Sequence, residues 1–435
     1  MIKTWMTPWL LMAVPFLGAT LSLLLRTSLQ RMKTSALLTT VASMLVVIGT
    51  PWALGDTLAG VPFLCLLPLT AFLSLLGQPL HRDNTSAWTT TLVLLGLGLG
   101  ILTAQAPVHD VMLLILPGLL CILLYRYQSG ATPETWRGLS AYGLSMMSAA
   151  LALVLPTPAS TVALLVTCAT LLPLLPVHSG FIATLTGLPG NLPAFLVFLL
   201  PTVGFHTLLT LLPNLTVTTL HTVAILALAG AVYGSLRALI QARPLPRLSY
   251  AAVAFFGLLW CYVAHPGTAP TQATVYLSAV GLAASGLLLA WYAIRARYGD
   301  IDLRALGGLA YPMPRFSTLL ALLALAALGM PPFGVFSGFL GMLLLPTFTP
   351  SGPFAVVMIV WLTASWYYTD FLQQLIFGRQ RMDMRYDDLR QTEFASLVLL
   401  LLLLLALGTA PSRFFDSYIP TPPATVAMQE GTWIR

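Results

Sequence analysis

The chain has 435 residues, of which 58% are hydrophobic and 8% charged, with a formal net charge of +7 and a mean hydropathy of +0.88. A water-soluble domain carries about 25% charged residues, and so apolar a chain folded in water would expose large hydrophobic patches, so the composition excludes a soluble globular enzyme. The basic residues are spread over short loops and not gathered in one domain, which argues for membrane topology and anionic headgroups over nucleic acid as the reason for the positive charge.

Lipid offers the backbone no hydrogen-bond partners, so spanning segments must be helices or a closed barrel, and continuous apolar runs without two-residue alternation favour helices. The expected class is an all-α polytopic membrane protein. Fourteen apolar stretches near the length needed to cross a bilayer follow along the chain: 7–25, 35–55, 61–79, 88–105, 111–127, 138–155, 160–177, 193–212, 220–240, 249–265, 272–294, 315–345, 354–377 and 393–410. The first reads as the opening helix of a multispan protein, because no small-residue cleavage pattern follows it before Arg26. Cys65, Cys121, Cys168 and Cys261 sit singly in apolar segments and read as small core residues. No nucleotide loop, cysteine cluster or haem-spaced histidine pair is present, so quinone, flavin or iron-sulfur chemistry is expected only in partner subunits, with no cofactor or metal in this chain.

Charge tests the topology, since cytoplasmic loops collect Lys and Arg. Sixteen of the 20 basic residues fall on one face, in the loops after odd-numbered spans and at the Arg315 flank. Lys3, Arg413 and Arg435 fall on the other, and Arg237 lies within a span. Both termini are therefore expected on the non-cytoplasmic side, with a bacterial inner membrane as the setting. The mixed-charge segment Arg379 to Glu393 suits a solvated loop, a short surface helix or a docking face for a partner.

Two spans are interrupted, one at Pro173 and Pro176 and the other at Pro331 and Pro332, five spans apart. Paired interruptions of this kind occur in inverted-repeat transporters, where broken backbone lines a polar cavity; proline kinks alone are the simpler alternative.

Four stretches carry a resemblance. They are Leu171 to His178 (LLPLLPVH) with Leu188-Pro189-Gly190 after it, Ser235 to Gly257, the run ending in Gly307-Gly308-Leu309 and Met313-Pro314, and Gly329 to Phe339 (GMPPFGVFSGF). Together, in this order, they resemble the antiporter-like membrane subunits shared by respiratory complex I, group 4 membrane-bound hydrogenases and Mrp antiporters, closest to the M-type branch. The likeness covers residues 90 to 410 and implies a single membrane domain over 1–435. Within it lie N-terminal helices one to three (1–87), a first inverted five-helix repeat (88–212), a second (220–377), and a last helix with the C-terminal tail (378–435). Spans seven and twelve are the broken ones.

The resemblance also implies which residues should carry protons: Glu on span five, Lys on span seven, Lys or His on span eight, His on span eleven, and Lys or Glu on span twelve. Charged groups at mid-membrane cost about 2.5 to 3.5 kcal/mol each on insertion scales, so they persist only where they act. The corresponding residues here are Leu119, Leu171, Thr202, Val280 and Phe339, none of which can carry a proton. Four polar residues remain as candidates. His178 holds a family position and serves as a structural hydrogen bonder or a relay, and His206 lies one turn beyond Thr202 as a substitute base. Arg237 is placed to snorkel to the headgroups, and Asp370 to pair with Arg237 or a loop arginine. Asp110 marks the outer end of span five.

The functional expectation is an antiporter-like subunit of a complex I-type (NADH:quinone oxidoreductase or hydrogenase-like) assembly, structural or coupling in role and not itself pumping, with other membrane subunits, peripheral subunits and lipids as partners. The alternatives are an active proton or cation transporter with a rewired path through His206, His178 and Asp370, and the membrane subunit of a proton-driven inorganic-carbon uptake complex.

Overall fold

The computed structural model describes residues 2–54, 61–81, 84–127, 133–265, 270–299, 302–303, 306–343, 352–377 and 387–410. Among them are sixteen α-helices and no strand. In chain order they are α1 (Ile2–Leu24), α2 (Leu29–Leu54), α3 (Val61–Leu76), α4 (Thr85–Thr103), α5 (Val108–Tyr127), α6 (Pro133–Val154), α7 (Ala159–Leu171) and α8 (Ser179–Gly187). The second half continues with α9 (Leu192–Leu211), α10 (Val217–Ile240), α11 (Pro244–Val263), α12 (Pro270–Tyr298), α13 (Pro314–Leu328), α14 (Gly334–Leu343), α15 (Gly352–Ile376) and α16 (Gln391–Thr409). Nine of the described helices are long and apolar enough to cross a membrane.

The all-helical, membrane-type architecture expected from composition is present. The two interrupted spans are divided at the prolines expected to interrupt them, and one boundary needs correcting. The span expected over 160–177 stops at Leu171, and a separate nine-residue helix, α8, follows at Ser179, outside the expected spans. Pro173 and Pro176 lack the N–H that a continuing helix needs, and 179–187 is too short to register as a span on its own. The stretch over 315–345 is two helices, α13 and α14, parted at 329–333, where the interruption at Pro331 and Pro332 was expected. Most of the mixed-charge segment from Arg379 lies outside the described residues.

Burial separates centre from rim. Of the apolar window of α12, 94% is buried, against 33% for α15. A helix apolar all round is a core helix, and α12 packs on α9, α11, α13, α14 and α16. At the rim, Leu38, Ile122, Leu236, Leu362 and Leu402 are exposed, as suits surfaces facing acyl chains. Since lipid tails are as apolar as leucine, helices associate through close packing and polar contacts. Thus α10 and α11 approach so closely that a Cβ on Gly234 would lie 2.9 Å from the Ala254 nitrogen, and one on Gly257 3.0 Å from the Ala227 oxygen.

Among the described residues, charge ties elements near the helix ends. Arg297, near the end of α12, is held by Glu393 in the first turn of α16, with contacts of 2.6 and 3.2 Å. Asp388 accepts the backbone N–H groups of Arg315 (3.1 Å) and Phe316 (3.2 Å), capping α13 from a distant segment. The cysteines are free; Cys168 and Cys261 are buried and Cys65 and Cys121 half-buried, as expected of core residues.

Gly204 of α9 sits directly against the end of α7, where a Cβ would fall 2.7 Å from the Leu172 nitrogen. Gly204→Ala is expected to destabilise the protein by about 1 to 3 kcal/mol through overpacking against backbone. Gly143→Ala, where nothing lies within 4 Å, is expected to be neutral or stabilising by up to about 1 kcal/mol. Thermal unfolding in detergent ranks the two; equal unfolding temperatures would contradict the packing at Gly204.

Candidate functional site

The helix breaks are where backbone polarity enters the apolar interior. A carbonyl freed in the membrane must find a donor or cost several kcal/mol. At the first break the chain turns out of α7 with Leu172 N–H donating to Cys168 oxygen (2.8 Å) and Leu174 N–H to Ala169 oxygen (2.9 Å). The Leu172 carbonyl itself accepts the indole N–H of Trp260, from α11, at 3.0 Å. At the second break Gly329 adopts φ +82°, which closes α13 with Gly329 N–H on Ala326 and Met330 N–H on Leu325. There the Leu328 carbonyl accepts the indole N–H of Trp361, from α15, at 2.7 Å. Each break is thus sealed by a tryptophan from a distant helix.

Both seals adjoin positions where the resemblance implies an ionisable group. Leu171 is the residue before the sealed carbonyl and is wholly buried. Phe339 packs against the Trp361 ring at 5.7 Å between centroids. Thr202 is wholly buried and donates to its own helix at Phe198 oxygen, 2.7 Å. Val280 is buried in α12 and Leu119 half-buried in α5.

Polar groups near the first break are hydroxyls in place of charges. Thr170 donates to Ser145 Oγ at 2.7 Å, and Ser148 and Thr167 are bonded at 2.9 Å. Tyr142 and Thr184 are bonded at 2.8 Å. Residues 142, 145 and 148 repeat every three positions on α6 and so share the face turned to α7 and α8.

The remaining candidates fall into three groups with different partners. His178, at the start of α8, meets Tyr233 edge-on at 5.3 Å and Tyr250 at 6.4 Å. Arg237 joins this group: its guanidinium lies 5.1 Å from the Tyr250 ring and donates to the Tyr250 hydroxyl at 3.4 Å. His206 lies in a second cluster, 6.3 Å from the His109 ring, where His109 contacts Asp110 at 2.8 Å and Thr207 at 3.3 Å. Asp370 forms the third: of the two partners expected for it, it binds Arg247 of α11 at 2.8 Å, and Gln374 Nε2 at 2.9 Å from both oxygens. Sequence reasoning brought none of Trp260, Trp361, His109 or the α6 hydroxyls to notice. The 142-145-148 spacing was a readable signal; the tryptophans, 88 and 33 residues from the carbonyls they seal, left none.

Residues 120–365 match the family described as NADH:quinone oxidoreductase/Mrp antiporter, TM. The chain belongs to this family. Among curated relatives it is 29% identical over 217 residues to NAD(P)H-quinone oxidoreductase chain 4 1 of Synechococcus sp. (strain JA-3-3Ab), covering 47% of this chain and 41% of that one. It is 27% identical over 283 residues to F(420)H(2) dehydrogenase subunit M of Methanosarcina mazei (58% and 56%). It is also 27% identical over 201 residues to NADH-quinone oxidoreductase subunit M of Escherichia coli K12 (44% and 38%). The match thus spans between about two-fifths and a little over half the length of these relatives. The fold is similar to a chain of respiratory complex I from Thermus thermophilus, with TM-score 0.78, 20% identity and coverage of 94% and 97%. It is also similar to a chain of the archaeal membrane-bound sulfane sulfur reductase, with TM-score 0.82, 16% identity and coverage of 95% and 78%.

Within this antiporter-family fold, Trp260→Phe and Trp361→Phe each remove one donor and keep an aromatic ring. Each is expected to lower stability by about 1 to 2 kcal/mol, read as a lower unfolding temperature in detergent. Trp9→Phe, at an exposed position, serves as the control; an equal response from all three would refute the sealing role.

Proposed function

We propose that this protein is a structural or coupling subunit of a complex I-type multisubunit membrane assembly that does not itself carry protons. The observation that carries the reading is the pair of tryptophan seals. At both breaks the freed carbonyl is closed by an indole N–H, and the neighbouring positions implied to be ionisable are Leu171 and Phe339. An indole donates one hydrogen bond and does not change charge at any accessible pH, so it stabilises a broken helix without offering a protonation step. That His178, His206 and Asp370 each engage different partners supports the same reading.

In this reading the fold is fourteen spans, with α7–α8 and α13–α14 as broken spans seven and twelve of two inverted repeats. The face bearing Arg126, Arg137, Arg295 and Arg390 is cytoplasmic and both termini lie opposite it. The kinship with quinone oxidoreductase subunits supports membership of a larger assembly, with any quinone, flavin or iron-sulfur centre in partner chains.

Two measurements test this. Gentle solubilisation from native membranes followed by mass spectrometry is expected to recover other membrane subunits with peripheral redox subunits. Recovery of the chain alone, or with a carbonic-anhydrase-like protein, would count against it. The chain reconstituted alone in vesicles is expected to give no proton uptake above empty vesicles, before or after His206→Ala. Uptake that His206→Ala abolishes would instead establish a rewired transporter.

A further inference from the structure

One cavity on the arginine-rich face plays no part in the helix breaks. It measures about 550 Å³ and is bounded by the chain beyond α3, the start of α4, the turn between α8 and α9, the last turns of α12 and the entrance to α16. The lining residues that matter are Gln78, Asn84, Gly190, Asn191, Arg295 and Arg390. Four observations fix its chemistry.

First, it holds two arginines whose side chains, among the described residues, enter no ion pair. Arg295 is half-buried, its guanidinium 5.6 Å from the Tyr292 ring, and Arg390 is exposed at the rim. Second, Asp388 and Glu393, on either side of Arg390 in the chain, are already engaged. Both oxygens of Glu393 face Arg297, one of them also accepting the Arg390 backbone N–H at 2.9 Å, and Asp388 caps α13. Lys33 adds further positive charge behind the wall, its ammonium donating to the backbone oxygens of Leu76 and Gln78.

Third, Gln78 is 2% exposed, yet its Nε2 has no hydrogen-bond partner among the described residues. A buried amide donor left unmade costs about 1 to 3 kcal/mol, so the inner wall of the cavity is held at some cost. Fourth, that amide rests over Gly190, at φ +59°, in space that a Cβ on this residue would occupy, with Asn84 Oδ1 close by. The turn is held in place by Asn191, whose backbone oxygen accepts from Ser74 Oγ at 2.8 Å and whose Nδ2 donates to Ser74 oxygen at 3.2 Å.

We propose that this cavity binds a phosphate-bearing anion. Guanidinium forks match phosphate oxygens two at a time, and the Lys33 ammonium behind the wall adds to the positive potential. A basic pocket between helices at the edge of the membrane suits the headgroup of an anionic lipid, and a soluble phosphate has the same binding chemistry.

The full chain, purified in detergent, is titrated separately with phosphatidylglycerol, phosphatidylcholine and inorganic phosphate, and binding is read by native mass spectrometry and by the shift in unfolding temperature. Phosphatidylglycerol is expected to bind and stabilise where phosphatidylcholine does not. The double variant Arg295→Gln/Arg390→Gln is expected to bind it at least about tenfold more weakly. Arg126→Gln, an exposed arginine outside the cavity, is expected to leave binding unchanged. A response to inorganic phosphate that the double variant loses supports the site with a soluble ligand; a response to phosphatidylglycerol alone supports it with a lipid. Binding of phosphatidylglycerol and phosphatidylcholine alike, no response to either anion, or a double variant within twofold of wild type overturns it. If the double variant does not accumulate, Gln78→Glu, which keeps the side chain's size and adds a repelling charge, decides by the same thresholds.

Discussion

A carbonyl that leaves a helix in the middle of a membrane needs a donor, and the rest of this fold is arranged around meeting that need twice. Prolines at 173 and 176, and again at 331 and 332, stop α7 and α13 inside the apolar layer. The carbonyls of Leu172 and Leu328 are then met by indoles reaching from α11 and α15. To deliver Trp260 to its place, α11 must be held tightly, and the close approach of Gly234 and Gly257 at the α10–α11 contact holds it. To bring α9 against the same break, position 204 must be glycine, because its Cα faces the Leu172 backbone. The breaks, the glycines and the tryptophans are thus one device.

A broken helix can be sealed in more than one way. A lysine or a water chain supplies donors but also brings mobile protons and a charge whose protonation responds to its neighbours. An indole supplies one fixed donor and nothing that titrates. With Leu171 beside the first seal and Phe339 stacked on the second, the backbone requirement of the family's fold is met by groups that do not respond to charge elsewhere. The buried hydroxyls of Ser145, Ser148, Thr167 and Thr170 follow the same pattern: they bond to one another and to nearby carbonyls. Retaining the shape of a pump does not require retaining its carriers, which is why family membership and pumping are separate questions for this chain.

Much of the architecture was legible in the sequence because it depends on local rules. Apolar length marks spans, proline stops helices, and the order of four short motifs points to the family. The break in span seven was read from its prolines, but the helix that follows it, α8, was not, since nine residues carry too little hydropathy to stand out beside a proline-rich turn. The site was legible only by subtraction. Counting from His178 and from the glycines located Leu171, Thr202 and Phe339, because those offsets are local. What occupies the space around them is decided by packing between helices far apart in the chain, so neither tryptophan signalled its role. His109 was passed over for a related reason: beside Asp110 it reads as a helix end, and only the packing of α5 near α9 brings it within 6.3 Å of His206.

Charge and hydrogen bonding divide the molecule between them by depth. Arg297 with Glu393, and Asp388 with the start of α13, lie at helix ends, where water and headgroups lower the cost of holding a charge. The Arg247–Asp370 pair follows the same rule, since Arg247 belongs to the first turn of α11 and Asp370 to the last two turns of α15. Inside, hydroxyls and indoles do the same joining with neutral groups. Such a partition leaves the faces polar enough to meet other chains and headgroups. Charge is thus kept where water and headgroups meet it, and the joining of helices in the interior is left to neutral groups that need no counter-ion.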